Sequence, residues 1–195
     1  RSRGYSSRDA LSLADIEAIS RAAKDAQPDI LVMVDNCYGE FTQKKEPTQC
    51  GADLMAGSLI KNPGGGIAPT GGYIAGRADL VEKCAHRLSA PGVGGEIGCT
   101  LNVLRELYLG LYYAPGVVCE ALKTSVYTSC LFELLGYEVM PLYTAPRNDI
   151  ITSVNTGSPQ GMVALCGGVQ AGSPVDSFAA PEPCPMPGYE DDVIM

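Results

Sequence analysis

The feature that most constrains the fold is an apolar run, ILVMV at residues 30–34, which ends directly in Asp35. A strand that is apolar at every position is typical of a parallel strand covered on both faces. Parallel strands need crossover connections, usually helices, so the run predicts an α/β protein. A helix predicted at 12–27 precedes it, with Ser12 as N-cap and Asp15 completing a capping box. Ligands of open α/β sheets bind beyond the carboxyl ends of the strands, which makes Asp35 a candidate functional residue.

The rest of the chain alternates short strands, helices and glycine-rich loops. Periodicity and length predict strands at 53–58, 73–75, 137–140 and 150–154, and helices at 78–88, 96–113, 115–135 and 159–171. A proline-rich tail follows from residue 173. Because the pattern changes near Ala114, we expect two domains. The two parts would comprise residues 1–113 and residues 114–195.

Composition excludes several function classes. The 195 residues include 14 Lys and Arg against 22 Asp and Glu, a formal net charge of −8, which argues against binding to nucleic acid. No apolar run approaches the roughly 20 residues that span a bilayer. The eight cysteines form no CxxC pair and His86 is the only histidine, so no metal site is expected. We interpret the cysteines as free thiols and expect a cytoplasmic protein.

A second predicted strand ends in Ser58, and Lys61 follows three residues later. Asp35 and Lys61 are separated by enough chain for a crossover, so both are expected at the same edge of the sheet. Pyridoxal phosphate needs a lysine amine for its aldehyde and a carboxylate beside its pyridine nitrogen. The carboxylate favours the protonated ring, because opposite charge stabilises a cation. The pair therefore predicts a site for this cofactor; the alternatives are a turn-capping aspartate and a solvated lysine.

Three motifs in order carry a family resemblance. VDNCYGEF at 34–41, GADLMAGSLIKNPGGG at 51–66 and GGYIAG at 71–76 resemble the core of fold-type I pyridoxal-phosphate enzymes of the Cys/Met-metabolism group. RSRGYS at the start and the tail from residue 173 are similar to methionine gamma-lyase-like proteins known as aluminium-resistance proteins. The resemblance implies a three-layer α/β fold. Residues 1–113 would be the C-terminal half of a cofactor-binding large domain with a mainly parallel sheet, and residues 114–195 an interdomain helix with a truncated, small α+β C-terminal domain.

The resemblance also implies roles for single residues. Lys61 matches the Schiff-base lysine, and Asp35 matches the carboxylate that faces the pyridine nitrogen. Ser58 matches a hydroxyl that contacts the cofactor phosphate. Tyr38 matches a phenol that faces the ring hydroxyl in aminotransferase relatives. The substrate side of the family is matched by two residues near the start of the chain, Arg3 and Tyr5.

The implied function is a pyridoxal-phosphate-dependent lyase that acts on a sulfur-containing amino acid, with Lys61 removing the α-proton. The resemblance also implies a small amino-acid substrate and a homo-oligomer, either dimer or tetramer, with no nucleic-acid or membrane partner. A transaminase or aldolase of the same fold is the second hypothesis, and an inert scaffold or dimerisation module is the third. Because the chain starts at Arg1 and stops at an apolar VIM, we expect an internal fragment, with a processed chain as the alternative. Such a fragment would lack the phosphate-binding turn and the carboxylate-binding arginine, and would bind the cofactor weakly.

Overall fold

A three-stranded sheet lies at the centre of the computed structural model, which describes residues 1–3, 8–190 and the strand backbone at 193–194. Its strands are β1 (Met33–Asp35), β2 (Leu54–Ser58) and β3 (Gly72–Gly76), in the order β1-β2-β3. β2 is parallel to β1 and antiparallel to β3. The α/β class is as predicted, but this sheet is mixed rather than mainly parallel. Tyr5 lies outside the described residues.

The antiparallel pairing of β3 follows from the loop between β2 and β3. The backbone N–H of Leu59 donates to the carbonyl of Gly71 at 2.9 Å, which continues the ladder of the two strands beyond Ser58. This contact closes the loop as a hairpin, and the chain never makes the helical crossover that a parallel neighbour requires. The glycine-rich segment predicted as a loop therefore reverses the direction of the chain.

The first helix, α1 (Leu13–Ala26), confirms the sequence prediction. The backbone N–H of Asp15 donates to the Ser12 hydroxyl at 3.1 Å, and the backbone N–H of Ser12 donates to the Asp15 carboxylate at 2.8 Å. This capping box satisfies two of the N–H groups that a helix start leaves open. The helix buries Ile16 and Ser20.

The apolar run at 30–34 forms a shorter and more exposed strand than its composition predicts. β1 is three residues long, and the side chains of Leu31 and Met33 are 54% and 59% exposed. Among the described residues, β1 pairs on one edge only, with β2. The prediction that both faces of this strand are covered is therefore wrong for the described part of the chain. Asp35 is likewise exposed rather than buried.

The helices predicted at 96–113 and 115–135 form one continuous helix, which starts later than predicted because residues 97–103 are not helical. After α2 (Ala78–Leu88), the chain forms a loop that extends to α3 (Leu104–Leu134), whose 31 residues include Pro115. Pro115 was expected to start a helix, because proline is favoured at a first helical position. Packing decides otherwise, since Ala114 and Val118 are almost fully buried on either side of it. The domain division at residue 114 stays a prediction, and α3 continues through it.

The remaining elements are small. β4 (Glu138–Met140) pairs antiparallel with β5 (Ser153–Asn155), close to the strands predicted there. α4 (Pro159–Ala171) agrees with the predicted helix and starts at the side-chain cap of Ser158. In the tail, β6 (Pro183–Cys184) pairs with β7 (Val193–Ile194). None of the helices in the described ranges is both long enough and apolar enough to cross a membrane.

Candidate active site

The candidate site forms where the parallel strands β1 and β2 end. Asp35 is the last residue of β1, and the backbone N–H of Asn36 donates to the carbonyl of Ala56 in β2 at 2.8 Å. β2 ends at Ser58, and the turn after it is closed by a long contact of 3.4 Å from the Lys61 backbone N–H to the Ser58 carbonyl. The parallel pairing therefore brings the segments that carry Asp35 and Lys61 to one edge of the sheet.

One cavity of about 260 Å³ contains both of these residues. Its lining comes from the start of the chain and from the two strand ends: Arg1, Ser2, Arg8, Asp35, Cys37, Tyr38 and Lys61. The structure thus brings three of the residues singled out in the sequence into one place. Ser58, three residues before Lys61 in the sequence, does not line this cavity. Arg3 lines a different cavity, with Asp9 and Asp149, and its side chain is almost completely buried.

The ring of Tyr38 packs against the amine of Lys61. The Lys61 Nζ lies 4.6 Å from the centre of the Tyr38 ring, within the range of a cation–π contact. Tyr38 has a φ of 68°, in the left-handed region that residues other than glycine rarely adopt. The turn is held by a hydrogen bond from the Ile150 backbone N–H to the Tyr38 carbonyl at 3.2 Å. This unusual backbone is what points the ring toward Lys61.

The charges of the site favour a carboxylate beside an ammonium group. The backbone N–H of Cys37 donates to the Asp35 Oδ1 at 3.0 Å and lowers the pKa of that carboxyl below its ordinary value, against the opposing effect of burial. Burial acts to lower the pKa of Lys61, but the Cys37 thiol and the Tyr38 phenol outweigh it and raise the pKa above its ordinary value. Near neutral pH, Asp35 is therefore ionised and Lys61 is protonated.

Cys37 is a site residue that sequence reasoning missed. Its thiol lines the cavity together with Asp35 and Lys61 and influences the pKa of Lys61. Burial, followed by the effect of Asp35, raises the pKa of the thiol, so it remains protonated near neutral pH. The sequence indicated free thiols, most of them packed in apolar runs, and distinguished none of the eight cysteines from the others. The signal that could have separated Cys37 is its place two residues after the strand-end Asp35.

The turn after β1 is supported from beneath by a buried polar network. The Arg1 guanidinium donates to the Gly39 carbonyl at 2.9 Å and to the Asn36 Oδ1 at 3.1 Å. The amide of Asn36 in turn donates to the Glu46 Oε2 at 2.8 Å. Asn36 is completely buried, so these bonds provide the partners that a buried polar group requires. The network fixes the backbone that carries Cys37 and Tyr38.

A second part of this network connects the turn that carries Lys61 after β2, the lysine turn, to β3. Asn62, directly after Lys61, donates through its amide to the Glu40 carbonyl at 3.0 Å. The Tyr73 hydroxyl of β3 donates to the Glu40 Oε1 at 2.8 Å. Burial raises the pKa of Glu40 to about 7, and burial with the neighbouring Glu40 carboxyl raises the pKa of the Tyr73 phenol far above its ordinary value. Glu40, which follows Tyr38 in the turn after β1, thus binds the lysine turn through its carbonyl and β3 through its carboxyl.

The fold and the cavity define an α/β protein with an ionised aspartate and a lysine at the ends of two parallel strands. The sequence model of the family described as Methionine gamma-lyase matches residues 1–195. The chain belongs to this methionine gamma-lyase family. Among curated proteins it is 47% identical over 195 residues to YnbB of Bacillus subtilis (strain 168). It is 49% identical to the 33.9 kDa protein of the glnA 5′ region of Lactobacillus delbrueckii subsp. bulgaricus.

Solved structures have the same fold. A protein from Listeria monocytogenes, named as a candidate cystathionine beta-lyase involved in aluminium resistance, superimposes with a TM-score of 0.95 at 47% identity over the whole chain. A protein from Clostridium novyi, named a carbon-sulfur lyase involved in aluminium resistance, gives 0.89 at 51% identity over 96% of the chain. The chain spans 48% and 44% of these two proteins, and 46% and 64% of the two curated relatives.

Proposed function

We propose that this chain is part of a pyridoxal-phosphate-dependent lyase that breaks a carbon–sulfur bond in a sulfur-containing amino acid. The observation that carries the proposal is that Asp35 and Lys61 line one cavity at the ends of β1 and β2. The names of the Listeria and Clostridium proteins support the same reaction class. A small amino acid as substrate, a homo-oligomer and a cytoplasmic location belong to this proposal, as do the fold-type I arrangement and the small C-terminal domain.

The residues of the cavity fit the cofactor chemically. Lys61 offers the amine that binds an aldehyde, and Asp35 offers an ionised carboxylate, which suits a protonated pyridine nitrogen. Ser58 and Tyr38 are proposed to contact the phosphate and the ring hydroxyl. When bound, pyridoxal phosphate supplies a ring that accepts electrons from the substrate. The cavity residues would then supply proton transfer, through Lys61, and a negative charge for the pyridine nitrogen, through Asp35.

Lys61 is the proposed general base and acid. Its amine must lose a proton before it can bind an aldehyde, because a lysine with an ordinary or raised pKa is protonated near neutral pH. In its neutral form, the Lys61 Nζ would remove the α-proton of the substrate and would later return a proton to the product. Asp35 remains ionised throughout, since its hydrogen bond from Cys37 stabilises the charged form.

The test uses the protein expressed from its full reading frame, incubated with cystathionine or methionine. We expect a keto acid and a released thiol in equal amounts. Lys61→Ala should abolish turnover, and Asp35→Asn should reduce kcat by at least about a hundredfold, since an essential charge on the ring is lost. A keto acid without released thiol would indicate a transaminase, and a protein that shows no cofactor absorbance would contradict the proposal.

A further inference from the structure

We propose that Asp149 is a positioning residue that fixes residues 1–3 against the wall of the candidate active site. Asp149 lies in the loop between β4 and β5 and is only 1% exposed. Its Oδ2 accepts hydrogen bonds from the Ser2 hydroxyl at 2.7 Å and from the Arg3 backbone N–H at 3.1 Å. Its Oδ1 accepts from the backbone N–H of Ile151 at 3.1 Å. One oxygen of this buried carboxylate thus holds the distant residues 2 and 3, and the other is bound within its own loop.

The far side of residues 1–3 contacts the cavity itself. The backbone nitrogen of Arg1 donates to the carbonyl of Asp35 at 2.8 Å. Ser2, whose hydroxyl is bound by the carboxylate of Asp149, lines the same cavity as Lys61. The segment therefore lies between the strand-end aspartate and the loop after β4. If the loop releases the segment, the wall of the cavity moves.

The neighbours of Asp149 make parallel contacts to the turn after β1. The Gln43 amide donates to the Asn148 Oδ1 at 2.7 Å, and the Ile150 backbone N–H donates to the Tyr38 carbonyl at 3.2 Å. Three consecutive loop residues thus contact three parts of the site's surroundings. Asp149 is the charged and most buried of the three, and the loss of a hydrogen bond costs most for a buried charged group. It is therefore the member whose substitution should have the largest effect.

The expected consequence is a change in substrate affinity rather than in proton transfer. Ser2, whose hydroxyl is held by Asp149, lines the cavity of the candidate active site, whereas Arg3 is buried beside a separate cavity of about 270 Å³ that Asp149 also lines. Asp149 holds the Arg3 backbone, and in the described part of the chain none of its hydrogen bonds reaches Asp35 or Lys61. The prediction about affinity rests on the proposed lyase function. The prediction that residues 1–3 are held in place does not.

The experiment replaces Asp149 by Asn in the protein expressed from its full reading frame. Asn has one acceptor oxygen instead of two and carries no charge. Either the donors of Ser2 and Arg3 or the Ile151 N–H therefore lose their acceptor, and any bond that remains is weaker. We expect the KM for cystathionine to rise about tenfold while kcat changes less than about threefold. We also expect faster hydrogen–deuterium exchange in the peptide covering residues 1–11, measured without cofactor or substrate. Pyridoxal-phosphate absorbance should stay unchanged.

Two further variants make the test decisive. Asn148→Ala removes the adjacent contact to Gln43 and should leave both KM and the exchange of residues 1–11 close to wild type. Ser2→Ala removes one of the two bonds to Asp149 and should raise KM about threefold, which keeps the proposal testable if Asp149→Asn fails to fold. Unchanged exchange in Asp149→Asn, or an equal KM increase in Asn148→Ala, would overturn the positioning role. If the wild type shows no lyase activity but the exchange still accelerates, only the proposed function fails.

Discussion

At the scale of single residues, burial sets the charge of Glu40, which holds the lysine turn to β3. Glu40 is only 3% exposed. Its Oε1 accepts a hydrogen bond from the Tyr73 hydroxyl, and its Oε2 has no hydrogen-bond partner among the described residues. Burial raises the pKa of Glu40 to about 7 from an ordinary value of 4.5. A protonated carboxyl suits this environment, because the neutral form loses less solvation when it is buried.

The pH dependence of stability follows from this shift. Between pH 4.5 and 7 the folded state binds more protons at Glu40 than the unfolded state, so the free energy of unfolding falls as pH rises. The expected fall is about 3 kcal/mol in total. Glu40→Gln, which resembles the protonated acid, should remove it. Relative to wild type, the variant should therefore gain about 3 kcal/mol between pH 4.5 and 8, measured by urea unfolding.

The matched control is Glu17→Gln, at an exposed position of α1. Its stability should follow the wild-type profile at every pH. Parallel profiles for wild type and Glu40→Gln would show that Glu40 is ionised in the folded protein and would contradict the raised pKa. The same comparison gives the direction of the pKa shift. If Glu40→Gln lost stability relative to wild type as pH rises, the pKa of Glu40 would have to be lowered in the folded protein.

The sequence alone predicted that Asp35 and Lys61 lie together, but not the contacts that hold the segments around them. Asp35 and Lys61 could be found because strand-end positions follow from local patterns, and parallel neighbours end at one edge of a sheet. Asp149 could not, because the residues it contacts, 2 and 3, lie 147 and 146 positions away in the sequence. Neither periodicity nor spacing reports such a contact. Arg3 shows the same limit, since its backbone is held near the site while its side chain lines another cavity.

At the scale of elements, α3 and the turn after Lys61 are packed through glycines. A Cβ added to Gly110 of α3 would come within 2.3 Å of the Gly64 carbonyl, and one added to Gly65 would come within 2.4 Å of the Gly110 carbonyl. The short 3₁₀ turn Asn62–Gly64 therefore lies directly against the helix backbone. This contact was not predictable from the sequence, where the glycines indicated only a loop. It also explains why the helix is stable through Pro115, since tertiary packing outweighs local propensity.

Gly110→Ala should destabilise the protein although alanine is the better helix former. Intrinsic propensity favours Ala by about 1 kcal/mol, but a Cβ cannot fit against a backbone carbonyl, and forced repacking costs about 1–3 kcal/mol or more. We expect a net loss of about 2 kcal/mol in the free energy of unfolding, measured in urea. Since the displaced turn follows Lys61, pyridoxal-phosphate affinity should fall as well.

The same helix provides the control for this substitution. A Cβ at Gly116 would meet nothing within 4 Å, so Gly116→Ala adds only the propensity gain. This variant should be more stable than wild type by up to about 1 kcal/mol. If Gly110→Ala were also stabilising, the close packing of α3 on the lysine turn would be wrong.

At the scale of the whole molecule, the described chain exposes much apolar surface. On α3, Leu104, Tyr108 and Leu111 follow helical spacing and are 48%, 66% and 44% exposed, and Tyr112 beside them is 78% exposed. Large exposed apolar surfaces are uncommon on monomeric proteins and indicate contact with other protein surface. The chain spans 48% of the Listeria structure that it matches throughout, so much of the protein that surrounds this fold in its relatives lies beyond these 195 residues.

The 195-residue chain on its own should therefore self-associate. Sedimentation velocity should show species larger than 20.4 kDa, and the dye ANS should bind with increased fluorescence. Replacing Tyr108 and Tyr112 by Lys should reduce both signals, because charges on this face of α3 make its burial costly. Thr124→Lys, which adds one charge at an exposed polar position of the same helix, should leave both signals nearly unchanged. A chain that sediments as a monomer without binding ANS would show that this face of α3 is stable in water.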